Sequence, residues 1–541
     1  MLKAETRGIL EADNNGPPED DTNALNNIDD IRAMVEKRRN EEAETLKDKK
    51  APVVSEDERV DSSFILSCLY SNEIGDGRLY AELNKGKFIF NKTSNEWYSW
   101  SGHHWERDMM NFSLAEVEKV SEQYLMEYGN ISEQIKFAAA DGESQKQEKL
   151  KKDQENILRR ISRLRSQRGR ANCLICASTS RNPISVFGDE FDLESMQLAC
   201  KNGIINLRTG EIRTGKPDDY ILKACPHEWK GINEPCPEFE KFLDSVFEGN
   251  KDLISFLQRL LGYSIAGITH ENKFIMLYGQ GRNGKSVLVE TLLNTLGPLA
   301  SPIQSEMLLD QGRSRSAAGP SPDIIALKGL RMAFASETDE GRHFSSSRVK
   351  WLSGGDTLVG RLPHDRYETH FLPSHTLFLL TNNKPHAAAY DFALWERMIL
   401  IPFRLSFVNR EPRADNERRA DLYVRDKLKN ETAGILAWLV RGFILWQETG
   451  LDPPAIIKDA TQEYKREEDL LQDFIDDYCY LDPDSVIGAS ILHDAFQEWF
   501  LKNVSKKGLS QKKFGRLMLK AGFDKVKSGT YSYIGIGLLA K

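Results

Sequence analysis

The stretch KFIMLYGQGRNGKSVLVETLL, residues 273–293, limits the possible folds of this chain more than any other. The apolar run FIMLY stops at Gly279, three glycines fall within positions 279–284, and an apolar pattern with helical spacing starts at Lys285. A buried strand that turns sharply into a helix is the repeating unit of an α/β layer structure. Gly279, Gln280, Gly281, Arg282, Asn283, Gly284, Lys285 and Ser286 fit the pattern G-x-x-x-x-G-K-[ST], with Val287 continuing into the helix. Glycines let the backbone fold so tightly that its N–H groups converge on a phosphate, with the positive end of the helix behind them. In that arrangement Lys285 reaches the β- and γ-phosphates and Ser286 ligates magnesium. ATP with Mg²⁺ is the expected cofactor pair.

A phosphate loop alone does not name the work, because kinases, transporters and motors share it. LRMAFASETDE (330–340) reads as an apolar strand ending in Glu337, and a carboxylate at a neighbouring strand tip is what Mg²⁺ and an attacking water require. HTLFLLTNNKP (375–385) reads as a third strand ending in Asn382, whose amide could orient that water. Arg397 follows just before the apolar MILIPF. It is either structural or an arginine finger reaching a neighbouring subunit's site, which requires an oligomer. Between the acid and the Asn, the pattern predicts a helix ending at Gly354-Gly355 and then a hairpin: TLVGRL, a PHDR tip, YETHFL. Arg361, His364 and Arg366 lie near that tip, either as cations for a strand's phosphates or as an ordinary surface hairpin.

Composition bounds the rest. At 541 residues the chain exceeds one ordinary core, so two to four domains are expected. No apolar stretch approaches the ~20 residues of a bilayer span, which predicts no membrane association. Seven cysteines at irregular spacing suit a reducing compartment, so a host-cell cytoplasmic location is expected. Cys173 and Cys176 have metal-like spacing without a second pair, and read as buried thiols rather than zinc ligands. Charge is uneven along the chain. Residues 1–61 hold 17 acidic and 10 basic side chains, whereas residues 501–541 hold 10 basic and one acidic. The basic end is read as local contact with a polyanion, against a solvated basic face.

Six segments are expected: a disordered acidic arm (1–61), an α+β N-terminal domain (62–230), a helical lead-in for oligomerisation (231–272), the ATPase core (273–410), a helical region (411–482) and a basic winged-helix-like DNA-binding domain (483–541). GKFIFNKTSNEWYSWSGHHWERD (86–108) predicts a β meander whose tryptophans fill a core, and NGIINLRTGEIRTGK (202–216) two short strands about an Arg-Thr-Gly turn. The basic helical pattern of residues 149–170 meets phosphate or stays wet. In the terminal segment Ser510 should cap a helix carrying Lys512, Lys513 and Arg516 at helical spacing, followed by a two-stranded wing. Phosphate contact and protein docking are its two readings.

The order phosphate loop, strand-end Glu337, VKWLSGGD (349–356), LLTNNKP and ALWERMILIPF resembles superfamily 3 helicases, specifically the phage/plasmid primase-helicase family of satellite-phage and poxvirus type. NGIINLRTG and LLGYSIAG (260–267) match further family elements. The resemblance is strong over roughly 190–475. It implies a AAA+ core, a ring, usually hexameric, that translocates on single-stranded or forked DNA, and partners such as a separate primase. It assigns Gly279, Gly284, Lys285 and Ser286 to the nucleotide and its metal, Glu337 to hydrolysis, Lys350 to DNA or the neighbouring nucleotide, Asn382 to sensing and Arg397 to action in trans. The sequence departs at Ser336, Asn383 and Glu396, leaving the metal's second carboxylate unassigned and paired fingers without support. Residues before 190 offer no clear metal-binding acids for a polymerising domain, so no primase activity is expected. The alternative is an ATP-switched initiator or loader that binds DNA without processive unwinding.

Overall fold

The structure is a computed structural model and describes residues 60–312, 319–336, 341–363, 365, 367–503 and 508–539. The expected arm, apart from residues 60 and 61, lies outside the described residues, as do Glu337, His364 and Arg366. The chain divides into two compact units, Met1–Ile65 and Leu66–Lys541, and the second holds the central sheet, its covering helices and the terminal module.

Five strands form the central sheet: β1 (Phe274–Tyr278), β2 (Ala300–Ile303), β3 (Met332–Ser336), β4 (Thr376–Thr381) and β5 (Met398–Pro402). All pair in parallel, in the spatial order β2-β3-β4-β1-β5. The runs are apolar throughout because both faces are covered. Ile275 and Leu277 of β1 point into one core with Phe334, Phe378 and Ile401. Phe274 and Met276 point into the other with Ala333, Leu377 and Leu400. Helix α1 (Lys285–Leu296) covers the first face through Leu288 and Leu292.

Two longer helices support that face. In Lys251–Ser264, Leu253, Phe256, Leu257, Leu260 and Leu261 are buried, the i, i+3, i+4, i+7 stripe of a core-facing helix. The Asn250 side chain accepts from the Leu253 N–H at 3.0 Å and caps it. Thr432–Thr449 crosses it with glycine meeting backbone on both sides. A Cβ at Gly442 would stand 2.0 Å from the Gln258 carbonyl oxygen, and one at Gly262 2.1 Å from the Phe443 nitrogen. Helix Pro237–Val246 completes the layer, its first N–H groups at Glu238 and Phe239 received by the Glu431 carboxylate at 3.1 and 2.9 Å.

The meander forms as read, Phe88–Asn91 with Glu96–Trp100 and that strand with Trp105–Arg107, all antiparallel. Trp105 is buried, whereas Trp97 and Trp100 are half-buried. NGIINLRTG supplies strands Gly203–Asn206 and, past its turn, Glu211–Arg213. In the basic helix Ser144–Leu164, Ile157, Ile161 and Leu164 are buried, and Arg160 is buried with them, paired with Asp76 at 3.4 Å. Six of the seven cysteines are buried and all are free thiols, while Cys176 is half-buried.

The 411–482 segment holds more than helices. Glu417–Arg419 pairs in parallel with Ser406–Val408, and Cys479–Gly488 is a ten-residue strand. That strand pairs with Thr530–Leu538, which pairs with Lys525–Ser528. The core under this sheet already includes Leu471, Phe474 and Ile475 of helix Leu470–Tyr478, so the terminal module starts before the expected 483.

Gly442→Ala should test the crossing of the two long helices. Overpacking of this kind costs about 1–3 kcal/mol, so the melting temperature of the purified chain should fall by several degrees. An unchanged value would contradict the close approach.

Candidate functional site

At the carboxyl edge of the sheet the chain leaves β1 through Gly279, whose N–H donates to the Thr381 carbonyl at 3.3 Å. A Cβ there would stand 2.3 Å from Asn283 Nδ2 and 2.4 Å from the Phe403 carbonyl oxygen, so the turn closes only around glycine. Gly284 enters α1 at φ +90°, in the left-handed region, and a Cβ would meet Val246 at 2.7 Å. The Leu288 N–H donates to the Gly284 carbonyl at 2.9 Å, the first bond of the helix. The N–H groups of the first turn have no partner within the helix and remain available to a ligand.

Lys285 is 5 % exposed. Its ammonium donates to the Gly279 carbonyl and, at 3.0 Å, to Asn382 Oδ1. β4 sits beside β1 with Thr381 opposite Tyr278, which brings Asn382 over the loop. Two residues about one hundred positions apart in sequence therefore meet in one hydrogen bond. Ser286 is exposed at the helix start and opens onto a cleft of about 600 Å³. Arg282, Asn283 and Val287 line it from the loop, with Asn382 beside them. Its far wall brings together Phe242 of helix Pro237–Val246 with Phe407, Leu422 and Val424. The Phe407 N–H donates to the Arg282 carbonyl at 2.6 Å and fixes that wall to the loop. The wall was not legible in sequence, since its aromatics come from segments on either side of the motif and carry no spacing signal. Gln280 lies on the other flank, in a cleft of about 530 Å³ with Arg404.

β3 ends at Ser336 beside Leu380, on the same edge of the sheet, and Glu337 follows outside the described residues. Of the metal donors only Ser286 is described, and its hydroxyl at the helix start is a hard oxygen of the kind Mg²⁺ takes. Among the described residues no group of three His, Cys, Asp or Glu could hold a metal ion.

Arg397 is not part of this constellation. Its carbonyl accepts the Phe274 N–H at 2.7 Å, which sets it at the start of β5, the opposite end of the sheet. Five residues of strand at ~3.3 Å each separate it from the loop by roughly 15 Å, beyond a side chain's reach. Its Nη1 donates to the Ala393 carbonyl at 3.1 Å, and its buried Nε has no partner among the described residues. Lys350 forms an ion pair with Asp391 at 3.2 Å near this end and is thereby engaged within the chain.

The predicted hairpin forms as Leu358–Gly360 against Thr369–Phe371, after a helix Ser346–Ser353. The Arg361 guanidinium donates to the Asp365 carbonyl at 3.1 Å, within the hairpin itself. In the terminal module, Lys512, Lys513 and Arg516 are exposed on helix Gln511–Lys520, whose Phe514 and Met518 are buried. Ser510 has extended cap geometry, but its side chain makes no capping hydrogen bond. Lys525 and Lys527 flank the Tyr531 ring at 4.2 and 5.7 Å on the wing.

Among known proteins, residues 77–248 match the family model described as "D5 N terminal like". The mimivirus protein "Putative helicase L207/L206" of Acanthamoeba polyphaga mimivirus is 28% identical over 444 residues, covering 79% of this chain and 45% of that protein. "Putative helicase 022R" of Frog virus 3 is 27% identical over 299 residues, 53% of this chain and 30% of that protein. The chain thus spans less than half the length of these curated relatives. The A form apo structure of the NrS-1 C terminal region aligns at 13% identity over 68% of this chain and 89% of that one, with a TM-score of 0.37. These likenesses are to proteins of the phage and viral primase-helicase type. The chain's named relatives come from large DNA viruses. No helix among the described residues is long and apolar enough to cross a membrane.

Burial holds the Lys285 pKa at about 8, below the ordinary 10.5. Between those values the unfolded chain binds more protons than the folded one, so ligand-free stability rises with pH across that window. Below it the folded chain carries the full cost of the desolvated charge. At pH 7 Lys285→Met should therefore be more stable than wild type by about 1–2 kcal/mol, after allowing for two lost hydrogen bonds. The difference should shrink toward pH 10. Denaturant melts at both pH values, giving a wild type as stable as the variant at pH 7, would contradict the burial argument.

Proposed function

We propose that this chain is an ATP-dependent DNA helicase of a viral or mobile-element replication apparatus, acting as a ring on single-stranded or forked DNA. The observation that carries the reading is the Lys285–Asn382 hydrogen bond at the carboxyl edge of a parallel sheet, directly over the phosphate-type loop. The strand order β2-β3-β4-β1-β5 supports a AAA+ core of the superfamily 3 kind, with the strand before the loop flanked by the sensing strand on one side and β5 on the other. The exposed basic helix and wing of the terminal module support a winged helix that contacts DNA phosphates.

In this reading the N–H groups of Gly281–Ser286 hold the β-phosphate, and the nucleoside lies against Phe242 and Phe407. Lys285 exchanges the Gly279 carbonyl and the Asn382 amide for phosphate oxygens, which restores the solvation its ammonium lacks in the free chain. Asn382 is then free to orient water. Ser286 and Glu337 would hold Mg²⁺, which when bound neutralises charge on the β- and γ-oxygens. Glu337 accepts the proton of the attacking water, the new P–O bond forms at the γ-phosphorus, and the bond to ADP breaks.

Arg397 of an adjoining copy supplies the remaining positive charge. Its location at the start of β5, away from its own loop, supports a ring in which one subunit's strand starts face the next subunit's loop. The hairpin with Arg361, His364 and Arg366 would track the strand, and a separate primase would be a natural partner.

Lys285→Ala should lower ATP turnover by at least ~100-fold and abolish displacement of a strand from a forked duplex, with no fall in melting temperature. Normal unwinding by that variant would refute the reading. Turnover that ignores single-stranded DNA, with no strand displacement by wild type, would favour a nucleotide-switched loader.

A further inference from the structure

The residues just past Asn382 are gripped by the end of a helix that runs into the terminal module. Helix Ala455–Glu467 lies along β5, where the Leu400 N–H donates to Thr461 Oγ1 at 3.2 Å and Tyr464 packs edge-on against Trp395. At its carboxyl end four contacts converge on residues 384–387. Lys384 Nζ donates to Glu467 Oε2 at 2.5 Å, its ammonium over the Tyr278 and Tyr464 rings at 5.0 and 5.2 Å. The buried Tyr464 hydroxyl donates to the Pro385 carbonyl. Glu468 Oε2 accepts the Ala387 N–H at 2.9 Å and meets His386 Nδ1 at 3.2 Å. Loops are ordinarily the more mobile parts of a fold, and this one is tied at four successive residues to one helix end.

The same segment also touches His343 and Phe344, a few positions past Glu337. His386 and His343 form a parallel bridge, their rings 4.9 Å apart, and the Phe344 N–H donates to the His386 carbonyl at 2.9 Å. Residues 343–344 and residues 384–387 therefore meet in one short patch of chain. On the other side, Glu468 and Asp469 alone separate this helix from helix Leu470–Tyr478, and the Asp469 side chain caps the latter at the Gln472 N–H. Leu471, Phe474 and Ile475 of that helix are core residues of the basic module, and its Asp477 accepts from Trp499 Nε1 at 2.8 Å. A two-residue corner capped at its second helix leaves a short connection between the two packed helices.

We infer that Glu467 and Glu468 form a latch by which the state of the Lys285–Asn382 pair sets the DNA affinity of the terminal basic module. The inference rests on the proposed ATPase reading and adds its regulation. When Lys285 turns to phosphate and releases Asn382, residues 384–387 shift with β4. The latch carries that shift through Glu468 into the helix that anchors the module. By linkage, DNA on the module acts back on nucleotide binding with the same coupling. Glu467 and Glu468 are positioning residues here. They touch neither phosphate nor DNA.

The test uses the full chain and a fluorescent oligo-dT, with anisotropy read with and without a non-hydrolysable ATP analogue. Wild type should change its DNA Kd at least ~5-fold on adding nucleotide, the lower range of allosteric coupling. Lys384→Glu and Glu467→Lys should each reduce that change below twofold, and the two together, which restore the pair with reversed charge, should recover most of it. A merely structural role would not give rescue of coupling by charge reversal. Glu467→Gln with Glu468→Gln should lose the change while DNA-free ATP turnover stays within about twofold of wild type. Single variants that keep the full nucleotide-dependent change would overturn the latch. A wild type that hydrolyses ATP but binds DNA equally in both states would overturn the latch alone, leaving the ATPase reading intact. Absence of ATP turnover in wild type would refute the ATPase reading and the latch with it.

Discussion

The structure turns on one desolvated ammonium. Lys285 is buried at the mouth of α1 with the Gly279 carbonyl and the Asn382 amide as its partners, and burial is what lowers its pKa. A cation so placed is costly unless an anion arrives. The rest of the central unit makes the arrangement possible. β1 and β4 must be neighbours for Asn382 to reach it, and Gly279 and Gly284 must lack side chains for the loop to close. The crossing of Lys251–Ser264 with Thr432–Thr449 fills the core on which α1 rests.

That constraint also divides the labour among the predicted site residues. Lys285, Ser286 and Asn382 share one edge of the sheet, whereas Arg397 stands at the other end of β5. A single copy therefore holds Lys285, Ser286 and Asn382 at one edge of the sheet and Arg397 at the other. Lys350, held by Asp391 close to Arg397, belongs to that outward end as well. This polarity of the sheet is compatible with the ring that the resemblance implies.

Much of this was legible in the chain because burial writes itself into composition. β1, β3 and β4 read as apolar runs since side chains on both faces are enclosed, and Gly279 and Gly284 are fixed by close contacts that a Cβ would violate. The Trp-rich meander and the Arg-Thr-Gly turn were legible for the same local reasons. Cys479–Gly488 was not. Its residues are mostly exposed, it contains Asp482, Pro483 and Asp484, and its partner Thr530–Leu538 lies some fifty residues away. Pairing at that distance leaves no periodic mark. Strands Ser406–Val408 and Glu417–Arg419 are three residues each and equally silent. The ion pair that engages Lys350 and the aromatic wall at Phe242 and Phe407 depend on tertiary approach, which residue spacing does not encode.

The central claim is that each hydrolytic site is shared between adjoining copies, one giving Lys285 and the next Arg397. Mixing purified Lys285→Ala and Arg397→Ala chains tests it most directly. Each alone should be nearly inactive in ATP turnover. The mixture should regain a substantial fraction of wild-type turnover, because some interfaces then join an intact loop to an intact arginine. A mixture no more active than its parts, or an Arg397→Ala chain that hydrolyses ATP at the wild-type rate as a strict monomer, would contradict the account.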